Sequence, residues 1–198
     1  MNTVESLEKE NARLRAELRR LESHRATTFR DHLTGLSNRH YFEDRLQQEL
    51  ARAKRWNWVC SVLLMNIDSF KQLNQTYGHT VGDAILVWLA RFLERSVREI
   101  DIPCRVGADE FAIILPYTDP HGCSIVTQRL RSWIQEEDTP HGIPFYVSVG
   151  TATFPAEATT LSDLLGVVDD SLYLDKKRKC AASEIRAREG AAHARGQL

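Results

Sequence analysis

The stretch that most narrows what this chain can fold into is Arg98–Leu115, REIDIPCRVGADEFAIIL, which reads as strand, tight turn, strand. Ile100, Ile102 and Val106 form an apolar approach, Gly107-Ala108 supplies the reversal, and Phe111–Leu115 is an apolar run suited to a buried strand. Two adjacent acids, Asp109 and Glu110, stand at the mouth of this hairpin. Alternation along a strand sends them to opposite faces, yet at a turn edge both can still reach one hard cation such as Mg²⁺. Gly and Asp are also ordinary turn residues, so turn chemistry alone accounts for the hairpin as well.

The rest of the chain sets this hairpin within an α+β fold. Thr34, Gly35, Ser37 and Asn38 punctuate a loop, after which Tyr41, Phe42, Leu46 and Leu50 recur at helical spacing. Trp58–Ile67, WVCSVLLMNI, is a near-continuous apolar run that reads as a central strand, with Asn66 and Asp68 sharing a face at its end. Ile85, Leu86, Leu89, Phe92, Leu93 and Val97 mark an amphipathic helix from Thr80 to about Glu99. Thr80 and Asp83 form a capping-box-like pair at its start, which leaves Asp83 open to either a capping or a ligand role. A helix from His121 to Gln135, a strand from Phe145 to Phe154 and a helix from Leu161 to Lys177 complete the order β-α-β-β-α-β-α. That order predicts a ferredoxin-like sandwich with an added helix.

Residues 1–28 are a different material, because Val4, Leu7, Asn11, Leu14, Leu18 and Leu21 alternate at spacings of three and four. Leucine holds every d position and Asn11 sits at an a position, the pattern of a two-stranded parallel coiled coil; an amphipathic helix packed on its own domain is the alternative. The expected organisation is a dimerisation stalk over 1–28, a globular domain over 29–180 and a frayed, flexible tail over 181–198. A net charge of −1 argues against DNA as a partner, and the lack of a long apolar run or signal-peptide core argues against a membrane. Cys60, Cys104, Cys123 and Cys180 lie far apart without metal-ligand spacing, which suits a reducing, cytoplasmic chain.

Four spaced motifs resemble the GGDEF family of diguanylate cyclases over residues 29–180: Asp31-x-Leu33-Thr34-Gly35-Leu36-x-Asn38-Arg39, the segment Asp68 to Asp83, Gly107-Ala108-Asp109-Glu110-Phe111, and Leu172-Tyr173-x-x-Lys176. The resemblance implies a palm-like fold in which two facing domains, each holding one GTP, produce cyclic di-GMP and pyrophosphate. It implies that Asp109 binds metal and activates the ribose 3′-hydroxyl, and that Glu110 and the backbone carbonyl of Ile67 join it in holding Mg²⁺ or Mn²⁺. Asn74 and Asp83 match the base-binding pair; Phe70 and Lys71, through backbone amides, and Lys176 match phosphate contacts. Either lysine suits a plain surface role too. Arg98 and Asp101, with Arg129, match the family's product-inhibition site, although an Arg and an Asp at this spacing also form ordinary local ion pairs.

The chain departs from the family at four positions. Asn66 stands where a metal-binding Asp is usual, and Asp68 is the candidate to compensate on the same strand face. Ala108 replaces the second motif glycine, Cys180 a phosphate-binding Arg, with Lys177 and Lys179 as substitute cations, and Gln75 an Asp. The leading expectation is a homodimeric cyclase with product feedback and a regulatory protein on its stalk. A catalytically impaired receptor for cyclic di-GMP or GTP is the first alternative, and a protein-recruiting module that binds no nucleotide is the second.

Overall fold

The computed structural model describes residues 8–15, 17 and 29–195, with side chains through Ala181. Its centre is a five-stranded sheet in the order β1-β3-β4-β2-β5. The strands are β1 Ser37–Asn38, β2 Cys60–Ile67, β3 Ile102–Arg105, β4 Glu110–Pro116 and β5 Val147–Phe154. The helices are α1 Arg39–Trp56, α2 Phe70–Tyr77, α3 His79–Ser96, α4 Pro120–Glu136 and α5 Leu161–Arg195. β1 runs parallel to β3, and every other pairing is antiparallel. From β2 to β5 this is the βαββαβ sandwich that the sequence predicts, extended by α1 before it and α5 after it.

β2 is buried on both faces, which is why its sequence is almost continuously apolar rather than alternating. Leu63, Met65 and Ile67 pack with Ile85, Leu89 and Phe92 of α3 and Leu130 of α4. Cys60 and Val62 face the opposite way, toward Leu46 and Leu50 of α1 and Leu164 and Val168 of α5. Each such side chain contributes about 1.5–3 kcal/mol through burial. Burial pushes the Cys60 and Cys104 thiols up to about 12 and that of Cys123 up to about 11, so these three stay protonated and act as small core residues.

Several boundaries differ from the sequence reading. The first hairpin strand covers only Ile102–Arg105, because Arg98–Asp101 close on themselves in a turn through Asp101 N–H to Arg98 O at 3.0 Å. α2 is a separate eight-residue helix that buries only Phe70 and Leu73, too few positions to register as periodicity. α5 runs past Lys177 to Arg195, through a segment rich in the strong helix formers Ala, Arg and Glu. At the other end, residues 8–15 and 17 are helical and exposed, and the remaining positions of the heptad stretch lie outside the described residues. No described helix is long and apolar enough to cross a membrane.

The fit of α5 against β5 depends on Gly150, where an added Cβ would stand 2.3 Å from Val168 O and 2.4 Å from Leu172 N. Those neighbours are backbone atoms that cannot rotate away. Gly150→Ala is expected to destabilise the domain by about 3 kcal/mol, the upper end for overpacking, read as a lower urea midpoint at unchanged slope.

Candidate active site

The register of the sheet brings the motif residues together. Asn66 of β2 lies opposite Glu110 of β4 on one side and opposite Ser148 of β5 on the other, on the sheet face that α1 and α5 cover. Ile67 N–H donates to Asp109 O at 3.1 Å, so both motif acids are held at the end of β2. The turn closes through Val106 and Gly107 N–H, which donate to Glu110 O at 2.9 and 3.2 Å. Neither Gly107 nor Ala108 has a positive φ, so Ala108 carries no left-handed strain. Gly107 supplies room instead: a Cβ there would meet Glu110 Oε2 at 2.7 Å.

Arg105, which the sequence does not single out, clamps this turn. Its guanidinium donates to Gly107 O at 3.2 Å, to Ala108 O at 2.7 Å and to Asp31 Oδ1 at 3.0 Å. Asp31 Oδ1 also accepts from Thr34 N–H at 2.9 Å and from Thr34 Oγ1 at 2.6 Å. The Asp31 and Arg105 side chains are only 16% and 11% exposed. Burial works against the Asp31 charge, but the bonds from Thr34 and Arg105 outweigh it and hold the carboxyl below its usual range. Arg39 of α1 is paired with Glu43 at 2.9 Å, and that bond raises its pKa.

The start of α2 lies one residue beyond β2 and its turn. Ser69 sits at the N-cap with φ 55° and makes no side-chain cap bond, so the first-turn N–H groups of Phe70 and Lys71 have no side-chain cap. Further along α2, Asn74 Oδ1 is buried without a hydrogen-bond partner. It lies against Gly82 of α3, where a Cβ would come within 1.8 Å of it, which explains a glycine inside a helix. Asp83 follows, exposed on α3. Because α3 begins at His79 with Gly78 as its N-cap, Thr80 lies within the first turn and the capping-box role for Asp83 falls away.

Asp68 continues the β2–β5 ladder, its N–H donating to Tyr146 O at 2.8 Å, and its side chain shares the Asn66 face but is engaged there by other partners. The Asp68 carboxylate accepts from Ser148 Oγ, the cross-strand neighbour of Asn66, at 2.5 Å and from Lys179 Nζ at 3.3 Å. Lys179 is further engaged by Asp175 at 3.5 Å and by Val147 O. Lys177 lies over the Tyr173 ring at 4.6 Å. Lys176 is half-buried one helical turn before Lys179 and Cys180 is exposed. The carboxylate expected to replace the missing Asp, and one of the lysines expected to replace the missing Arg, are therefore paired with each other.

A second cluster forms beyond the end of α3. Asp101 Oδ2 accepts the backbone N–H of Arg98 at 2.9 Å, whereas Asp101 Oδ1 is buried with no partner. Arg129 of α4 donates to Ser96 O at 3.0 Å and stacks over Trp133 at 5.0 Å, and its Nε is likewise buried and unpartnered. Desolvation raises the Asp101 pKa, opposed by the Arg98 N–H bond and by the charges of Arg98 and Arg129. Arg98 and Asp101 also border a groove of about 320 Å³.

Asp109, Glu110, the Asn66 amide and the Ile67 carbonyl offer only oxygen donors, the set that Mg²⁺ or Mn²⁺ takes. Among the described residues no group of three or more His, Cys, Asp or Glu side chains is placed to hold a metal, so the charge of this set rests on two carboxylates.

Comparison with known proteins gives a consistent result. The profile described as diguanylate cyclase, GGDEF domain, matches residues 28–181. The response regulator PleD of Caulobacter vibrioides is 35% identical over 151 residues, covering 74% of this chain and 33% of PleD. Diguanylate cyclase DgcS of Shewanella oneidensis is 34% identical over 146 residues, covering 74% of this chain and 49% of DgcS. The chain thus spans a third to a half of the length of these relatives. Among solved structures, Pseudomonas aeruginosa diguanylate cyclase SiaD, in complex with its activator SiaC, superposes with a TM-score of 0.73 at 32% identity, covering 89% of this chain and 68% of that one. The coiled coil and GGDEF domain of Caulobacter crescentus DgcB, in complex with c-di-GMP, gives 0.73 at 27% identity, covering 87% and 95%.

Removing the clamp has a defined consequence. Arg105→Met strands the partly buried Asp31 charge and frees the turn carbonyls, and is expected to lower stability by about 2–4 kcal/mol at pH 7. A depressed carboxyl stabilises the fold above its unfolded pKa and loses that contribution as pH falls through its folded pKa. The difference between parent and variant, measured by urea unfolding, should therefore shrink as pH drops from about 4 toward 3.

Proposed function

The chain belongs to the GGDEF family of diguanylate cyclases, and we propose that it condenses two GTP molecules into cyclic di-GMP with release of pyrophosphate. The observation that carries this reading is the placement of both hairpin acids at the end of β2, with Glu110 opposite Asn66 and Asp109 O bonded to Ile67 N–H. Each ribose 3′-hydroxyl attacks the α-phosphorus of the other nucleotide, and pyrophosphate leaves. Asp109 accepts the hydroxyl proton. Asp109, Glu110, the Asn66 amide oxygen and the Ile67 carbonyl would hold Mg²⁺ or Mn²⁺, whose chemistry is to neutralise phosphate charge and stabilise the leaving pyrophosphate. The Phe70 and Lys71 N–H groups and Lys176 receive the phosphate oxygens.

Asn74 and Asp83 read guanine. The unpartnered Asn74 Oδ1 supports this role, since a buried acceptor without a donor is costly until a ligand supplies one. Such a site rejects a base lacking the matching N–H groups by about 10⁴-fold. Because each domain holds one GTP, two must face each other, and residues 1–28 serve as the parallel coil that brings the copies together in the cytoplasm. A regulatory protein acting on that stalk provides the input. Arg98, Asp101 and Arg129 bind cyclic di-GMP as a feedback inhibitor, a reading supported by the two buried polar atoms that lack partners there.

A second reading, a cyclic di-GMP or GTP receptor with an impaired site, is favoured by Asn66 and by the pairing of Asp68 with Lys179. The same assay separates the two. With GTP and Mg²⁺ the dimer should yield cyclic di-GMP, Asp109→Ala should yield none, and Asn66→Asp should raise kcat about tenfold or more by restoring a charge beside the phosphates. No product from either the parent or Asn66→Asp, with cyclic di-GMP still bound, would make it a receptor. Asp101→Asn should weaken product inhibition about tenfold or more without lowering the melting temperature. The sign follows from its raised pKa: ionised Asp101 detracts from stability above its folded pKa, so at pH 7 the neutral amide removes a penalty.

A further inference from the structure

At the opposite end of β2 and β4 from the hairpin acids, three exposed aromatic side chains form one contiguous plate. Trp56 and Trp58 stack with ring centroids 6.0 Å apart, and Tyr117 meets Trp58 edge-on at 4.6 Å. They are 57%, 39% and 52% exposed. Tyr117 adopts a left-handed backbone with φ 54°, an uncommon conformation for a bulky residue, while its N–H donates to Val59 O at 2.9 Å. A strained residue that presents an aromatic ring to solvent points to a use for that ring.

The end of α1 that leads into this plate is basic. Residues 45–58 carry Arg45, Arg52, Lys54 and Arg55 against one acid, Glu49, which is buried and bridges Arg45 and Arg52 at 2.7 and 3.0 Å. Arg55 lies over the Trp56 ring at 5.3 Å. Asp119, two residues after Tyr117, caps α4 by accepting Gly122 N–H at 2.7 Å, and Glu157 accepts Thr153 N–H at 2.8 Å. None of these carboxylates forms an ion pair with Lys54 or Arg55 among the described residues.

We propose that the Trp56–Trp58–Tyr117 plate and its rim of Arg52, Lys54 and Arg55 form a docking surface for an anionic lipid bilayer. Trp and Tyr combine an apolar ring with a polar handle and settle at the headgroup level, and basic residues add attraction to anionic lipid, about fivefold in affinity for each. Single-stranded nucleic acid would need open ring faces between which bases could stack. Here the rings contact one another and Arg55, so the plate suits shallow insertion instead. Adsorption of this kind needs no spanning segment. β2 is eight residues long, so the plate and the hairpin acids are separated by about 25 Å along the strand and docking leaves the acids facing water.

The test is cosedimentation of the full chain with phosphatidylcholine vesicles and with vesicles containing about 30% phosphatidylglycerol, at low and physiological salt. Binding to the anionic vesicles should exceed binding to neutral ones about tenfold or more and weaken with salt. Arg52→Glu/Lys54→Glu/Arg55→Glu should abolish that preference, and Trp56→Ser/Trp58→Ser should lower anionic binding about tenfold. Trp56→Ser alone, at the more exposed position, guards against misfolding of the double variant and should still reduce binding severalfold at unchanged melting temperature. Equal sedimentation with and without vesicles overturns the proposal, as does vesicle binding that none of these variants alters. Patch-dependent binding of an oligo-dT probe without vesicle binding overturns it in favour of nucleic acid.

Discussion

One guanidinium ties the start of the domain to its hairpin. Arg105 ends the short strand β3 and, from there, bonds both turn carbonyls and the Asp31 carboxylate, which Thr34 fixes in turn. A two-residue strand such as β1 has little stability of its own, and a hairpin tip is ordinarily a mobile place. The clamp joins these two weak elements. Glu110 can then keep its register opposite Asn66, and Gly107 gives its side chain the space to do so. A charged hydrogen-bond network with little solvent exposure holds such a geometry better than surface ion pairs do.

The charge distribution around the end of β2 follows from a few substitutions. With an amide at position 66, the donor set carries the charge of Asp109 and Glu110 alone. Asp68, two residues on, has been drawn off by Ser148 and Lys179, and Lys179 by Asp68 and Asp175. These groups neutralise one another beside Asn66, at the β5–α5 side. The chemical end of the sheet is thus built from oxygen donors, a helix N-terminus and Lys176, whereas the opposite end presents aromatic rings and cations. A rigid sheet between them keeps these two surfaces apart.

Much of the fold was legible in the sequence for simple physical reasons. β2 is buried on both faces, so its apolar run stands out, and α3 buries one stripe, so its periodicity does too. The elements that escaped were short or set by distant partners. β1 exists because β3 lies beside it, and α2 buries only two residues. The extension of α5 past Lys177 was masked by a lack of apolar periodicity, although its helix propensity was high. The motif acids, Asn74 and Asp83 entered the sequence reading through the family resemblance, whereas Arg105 did not stand out, because its partners lie 74 and only a few residues away in different directions.

Local patterns in the sequence therefore determined the element order, the βαββαβ core, the family and the identity of the acids at the hairpin. Only the tertiary structure decided which charges meet: that Asp68 pairs with Lys179, that Asp83 is not a helix cap, and that Trp56, Trp58 and Tyr117 assemble into one surface. The reason is that periodicity and propensity act over a few residues along the chain. Ion pairs and ring contacts act through space, between residues that the folded sheet alone brings within reach.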